Sequence, residues 1–164
     1  MEYLILGLPR SRTSWLGIAC NSGTVIPCLH EYVSQGGDLS QLPGQYGCCE
    51  INPYIEYPEC KTVVIDRDPV QVAESLSYFE SSEEIPEGFL ERECLLAHEK
   101  LIQVAKNRNA LVIKFDEVDE RLEEIMEYIG VNYTHFHEIL KMYRIEPMSN
   151  NLDLITTHKN FLCR

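Results

Sequence analysis

Residues 7–15, Gly7-Leu8-Pro9-Arg10-Ser11-Arg12-Thr13-Ser14-Trp15, constrain the fold more than any other stretch of the chain. They directly follow a short apolar run, Tyr3-Leu4-Ile5-Leu6, and directly precede Leu16-Gly17-Ile18-Ala19. That order spells a strand, a tight loop and a helix. The N–H groups that open a helix have no intrahelical acceptor, and the helix dipole places partial positive charge at the same end. Such a loop is an anion site, and two arginines, two serines and a threonine add side-chain donors to it. The group it suits is a phosphate or sulfate ester.

Further along, apolar runs of strand length alternate with helical patterns. Residues 24–29, 60–65 and 110–115 read as strands, each a near-continuous apolar run. A first helix runs over residues 13–20, ended by Asn21-Ser22-Gly23. Pro69 opens a second, with Val72, Leu76 and Phe79 on its apolar face, broken by residues 81–88. Residues 89–107 form a long amphipathic helix through Phe89, Leu90, Cys94, Ala97, Leu101 and Ala105. Asp116 is placed to cap a helix whose Val118, Leu122, Ile125, Met126 and Ile129 share a face and whose Gly130 stops it. Thr134 caps one more helix, to about Tyr143, and residues 146–164 form a polar tail. Residues 32–47 are a long loop, rich in turn formers, of the kind that often serves function. The alternation predicts an α/β fold of the three-layer P-loop NTPase-like type. It has a parallel sheet of four to five strands, helices on both faces and a single domain over residues 1–164.

The 164 residues carry a formal net charge of −12, which argues against nonspecific binding to nucleic acid or to an anionic membrane. An anionic ligand must therefore be held by a local positive cluster against the overall field. The first residues do not read as a signal peptide, and no stretch reaches the ~18 apolar residues of a membrane span. A cytoplasmic protein with reduced thiols at its seven cysteines is the expectation. Cys28-x-His30 and Cys48-Cys49 lack the paired spacing of zinc ligands, so no metal is expected.

Counted from Gly7, Arg12 stands where the usual P-loop carries its second glycine and Thr13 where it carries lysine, which disfavours an ATP or GTP hydrolase. A second candidate site is Asp66-Arg67-Asp68-Pro69 with Ser75 eight residues after the arginine. Arg67 falls at a strand end, where open α/β sheets bind ligands. Ser75 is two helical turns on, roughly 12 Å along the axis. Two readings stand side by side: Arg67 and Ser75 hold one phosphate, or Arg67 pairs with Asp66 or Asp68 and Ser75 only packs.

Together these segments resemble the sulfotransferases that use 3′-phosphoadenosine-5′-phosphosulfate, in the manner of a short bacterial or phage-type member. Gly7-x-Pro9-Arg10-Ser11-x-Thr13-Ser14-Trp15-Leu16 is similar to that family's 5′-phosphosulfate loop, and Arg67-Asp68-Pro69 with Ser75 to its 3′-phosphate motif. Leu111 to Val118, followed by a helix ending in Tyr128-Ile129-Gly130-Val131, resembles a later segment of the family. The resemblance implies that Arg10, Ser11, Thr13 and Ser14 hold the 5′-phosphosulfate and that Arg67 and Ser75 hold the 3′-phosphate. Arg12 replaces the family's usual glycine, so either the backbone there needs no positive φ or the loop is altered; its side chain would add a positive finger over the sulfuryl group. The family's glycine-rich basic segment near the C-terminus has no counterpart.

The activity so implied is transfer of a sulfuryl group from 3′-phosphoadenosine-5′-phosphosulfate to a hydroxyl or amine of a small-molecule acceptor. Arg10 would also steady charge on the leaving phosphate. Glu31 is the first candidate for the base and His30 the second, both at the end of the second strand. The alternative for this pair is a half-exposed strand end with no chemistry. Two rival functions keep the loop: a nucleotide or small-molecule kinase, and a catalytically degenerate nucleotide-binding protein.

Overall fold

The computed structural model describes residues 1–23, 26–42, 44–78 and 86–131. The expected helix from Thr134, the polar tail and Phe79 lie outside them. Five strands form one parallel sheet: β1 (Tyr3–Gly7), β2 (Cys28–His30), β3 (Gly47–Glu50), β4 (Lys61–Asp66) and β5 (Leu111–Lys114), in the order β2-β3-β1-β4-β5. Four helices accompany them: α1 (Thr13–Gly23), α2 (Pro69–Ser77), α3 (Phe89–Asn107) and α4 (Leu122–Ile129). The α/β expectation holds in its class and strand direction.

The alternation of side chains along β1 separates two cores. Tyr3 and Ile5 face Leu16, Ala19 and Cys20 of α1 and Leu122, Ile125 and Met126 of α4. Leu4 and Leu6 face Val72 and Ala73 of α2 and Cys94, Leu101 and Ala105 of α3. Every residue of β1 is buried because both faces of the central strand are covered. The chain leaves β1 toward the β2 edge but leaves β4 toward β5, so their connections diverge from neighbouring strands. Right-handed crossovers in opposite directions put α1 and the α2–α3 pair on opposite faces. They part at the C-terminal ends of β1 and β4, the switch point at which open α/β sheets bind ligands.

Several local readings are corrected: α1 carries on through Asn21, Ser22 and Gly23 instead of ending before them, and the second strand is Cys28–His30, shorter and later than residues 24–29. The sequence offers no strand at β3, because Gly-Cys-Cys-Glu shows no β-branched run; all four of its residues are nonetheless buried between β1 and β2. Gly47 is required there, since a Cβ would lie 2.0–2.4 Å from the Tyr3 ring. β5 is an edge strand rather than one buried on both faces: Ile113 is inaccessible while Val112 and Lys114 are exposed. Asp116 does not cap α4; it lies in a 3-10 turn over Phe115–Glu117, and α4 begins after Arg121. Val118 is buried but precedes the helix, whereas Leu122, Ile125, Met126 and Ile129 are buried on α4 and Gly130 ends it in the left-handed region at φ 79°.

Candidate anion-binding site at the end of the sheet

Gly7 ends β1 under the loop it feeds. A Cβ there would come within 3.1 Å of Ser11 Cβ and 3.3 Å of Thr13 Cγ2, so the loop folds tightly back over the strand end. The Ser11 N–H donates to the Leu8 carbonyl at 3.2 Å, and α1 starts as the Leu16 N–H donates to the Arg12 carbonyl at 2.9 Å. Arg10 and Arg12 both take left-handed backbone, at φ 66° and 62°. That conformation costs a non-glycine residue roughly 1–2 kcal/mol, and such residues cluster at ligand clamps. The first turn of α1 carries no acidic side chain to neutralise its partial positive charge.

The second motif meets this loop. Asp68 caps α2 by accepting from the Val70 N–H at 2.8 Å, and Pro69 opens the helix. Arg67, just beyond β4, donates to the carbonyl of Arg10. Arg10 Nε in turn donates to Ser75 Oγ at 3.4 Å. Arg67 and Ser75 therefore converge on Arg10, from opposite ends of the second motif. Neither neighbouring aspartate holds Arg67: Asp68 serves the cap, and Asp66 binds His98 at 2.7 Å and Lys114. The Arg67 guanidinium lies over the Phe115 ring at 4.2 Å from its centroid. Burial and the nearby charges of Arg10 and Arg12 lower its pKa from the ordinary value.

Three buried polar atoms of this region, Ser11 Oγ, Arg12 Nη1 and Arg67 Nε, make no hydrogen bond among the described residues, although Arg12 Nη1 lies within ion-pair distance of Asp119. Each such group costs about 1–3 kcal/mol until something satisfies it. A hydroxyl and a guanidinium nitrogen left over beside a helix start are donors suited to anion oxygens, so the residues present fit a phosphate or phosphosulfate group.

Arg12 is engaged elsewhere. Its guanidinium pairs with Asp119 at 2.9 Å and lies 4.9 Å from the Phe115 centroid and 6.0 Å from that of Trp15. The backbone does require a positive φ at this position, which settles one alternative left open by the sequence. Trp15 is half-buried against the core that α1 shares with α4.

On the other side of the loop, β2 delivers His30 and Glu31. The Glu31 N–H donates to the Cys49 carbonyl at 2.8 Å, and its backbone is left-handed at φ 51°. His30 Nε2 lies 2.9 Å from Ser14 Oγ and 3.4 Å from Glu31 Oε1. Both partners approach the same ring nitrogen. A serine–histidine–acid relay needs the acid on the opposite nitrogen, so this is not that device. The tautomer decides which contact is the hydrogen bond, and either way His30 faces the first turn of α1 with Glu31 beside it.

Sequence reasoning missed Glu50. Wholly buried at the end of β3, its carboxylate accepts from the Val33 N–H at 2.9 Å, the Ser34 N–H at 3.1 Å and the Ser34 hydroxyl at 2.7 Å. Three donors satisfy it, and it pins the turn that follows Glu31. The available signal was an acid closing the apolar stretch at residues 46–49. Phe115 and Asp119 were also missed as site neighbours, because neither sits in a phosphate motif.

Among the described residues, Cys20, Cys28, Cys48, Cys49, Cys60 and Cys94 carry thiols. Burial pushes the Cys48 thiol up to about 12, which leaves it unreactive at neutral pH. Among the described residues no three His, Cys, Asp or Glu side chains gather as a metal-ligand set, and no helix is long and apolar enough to cross a membrane.

This arrangement of sheet, loop and helix matches solved structures. Mouse sulfotransferase SULT7A1, solved in complex with PAP, matches with a TM-score of 0.59 at 20% identity, over 87% of this chain and 63% of that one. YorR from Bacillus subtilis, solved in complex with phosphorylated GDP, matches with a TM-score of 0.51 at 13% identity, over 76% of this chain and 95% of that one. The fold is P-loop NTPase-like. The P-loop-like chain spans less than two thirds of the mouse enzyme, and at these identities the likeness is one of fold. No protein-family model and no curated sequence matches it.

Proposed function

We propose that the chain is a sulfotransferase-like enzyme that moves a sulfuryl group from 3′-phosphoadenosine-5′-phosphosulfate to a hydroxyl or amine of a small-molecule acceptor. The observation that carries this reading is the meeting of the two sequence motifs through Arg67 to Arg10, 57 residues apart, and Arg10 to Ser75, 65 residues apart. In this reading Arg10, Ser11, Thr13 and Ser14 bind the 5′ end of the donor, and Arg67 and Ser75 its 3′-phosphate. The arginine charge lies where negative charge accumulates on the leaving phosphate, which is the largest lever such a site has. Glu31 takes the acceptor proton, with His30 as its neighbour against Ser14. The PAP in the mouse structure supports the choice of donor class by fold analogy.

A second reading, a nucleotide or small-molecule kinase or a nucleotide-binding protein without turnover, is favoured by size: the match covers 95% of YorR. Against a kinase, Thr13 stands in place of the P-loop lysine.

Thermal denaturation with ligand separates the two. Adenosine 3′,5′-bisphosphate should raise the melting temperature, and ATP with Mg²⁺ should not; the reverse pattern overturns the sulfotransferase reading. Transfer of labelled sulfate to a panel of acceptors then separates turnover from binding alone.

A further inference from the structure

Arg12 occupies a left-handed position where glycine would sit without strain, and the ion pair it makes does little to explain its presence. Its partner Asp119 is a turn residue beyond β5 with a side chain 38% exposed, and a single half-exposed pair of this kind contributes little to stability. Three other carboxylates of β4, the turn after β5 and α4 are committed. Glu117 and Glu124 hold Arg121, and Asp66 holds His98 and Lys114. Arg12 and Arg67 lie over the same Phe115 ring, and the charge of Arg12 is one of those depressing Arg67. The guanidinium that Asp119 holds is thus part of the positive cluster at the loop, and a water-accessible carboxylate is the group that holds it.

We propose that Asp119 is a stand-in anion on Arg12, and that a ligand bringing a multiply charged phosphate or phosphosulfate end to the loop takes the Arg12 guanidinium from it. Asp119 thereby sets the affinity of the site and raises its selectivity for ligands charged strongly enough to displace a carboxylate. The inference rests on the reading of the loop as an anion site. It adds a residue from a third connection, the one after β5, to the two motifs already placed there.

Calorimetric titration with adenosine 3′,5′-bisphosphate tests it on the intact chain, in the wild type, D119N, R12G and the double variant. Glycine at residue 12 keeps the left-handed backbone while removing the guanidinium. D119N should tighten binding roughly three- to fivefold, the scale of one half-exposed ion pair. R12G should weaken binding, and D119N should have no further effect in the R12G background. Asp119→Ala should behave as D119N, which guards against a peculiarity of the amide. Equal tightening in both backgrounds would mean that Asp119 acts only through the general negative field, and the assignment would fall. Binding by the wild type with no response to either Asp119 variant overturns the assignment and leaves the anion-site reading intact. Failure of wild type and D119N alike to bind the bisphosphate overturns both.

Discussion

Arg67 does two things with one guanidinium: it donates to the Arg10 carbonyl and covers the Phe115 ring. Its loss should therefore loosen the loop as well as remove a charge. Arg67→Ala is expected to weaken binding of the bisphosphate at least tenfold, about 1.4 kcal/mol, in a calorimetric titration. Arg10→Ala should do the same while breaking the reach to Ser75. Glu31→Gln should spare bisphosphate binding and abolish sulfate transfer; unchanged turnover would remove Glu31 from the mechanism. These residues were legible because each stands in a compact motif whose residue types suit an anion. Phe115 and Asp119 were not, since their place beside Arg12 depends on how the connection after β5 folds over the loop.

At the scale of elements, α2 starts and α3 runs where their patterns put them, because caps are local. Asp68 and Pro69 start one helix, and Gly88 precedes the other in the left-handed region at φ 73°. β3 shows the opposite case. Its sequence has no strand propensity worth naming, and it is a strand because β1 and β2 supply ladder partners on both sides. Gly47 makes that pairing possible by leaving room for the Tyr3 ring. Gly47→Ala should force the ring or the strand to shift and destabilise the protein by about 1–3 kcal/mol in denaturant unfolding. A smaller change would mean that Tyr3 repacks at little cost. The Asp116 cap failed because the chain first makes a 3-10 turn over Phe115–Glu117 and α4 starts after Arg121, whose side chain binds Glu117 and Glu124 and caps no backbone N–H.

At the scale of the whole molecule, Asp66 ties the end of β4 to α3 through His98 and to β5 through Lys114. Burial pushes its carboxyl up, but the hydrogen bonds from His98 and Lys114 outweigh that and leave it below the usual value. A depressed carboxyl contributes stability that is present above its unfolded pKa and lost as pH falls through the folded one. Asp66→Asn should flatten the acid side of a stability–pH curve below about pH 4, the ordinary carboxylate range. An unchanged acid limb would show that other carboxylates carry it.

The sequence alone determined the α/β class, the strand–loop–helix at the N-terminus, the second arginine–serine motif and the starts of α1, α2 and α3. All of these are written in patterns a few residues long, governed by period, capping and turn chemistry. Only the tertiary structure decided that Arg10 would join Arg67 to Ser75, that Glu50 would pin the turn after Glu31, and that Asp119 would hold Arg12. The physical reason is that these contacts cross between connections at one edge of the sheet. Their partners are set by strand order, and strand order is not a local property of the chain.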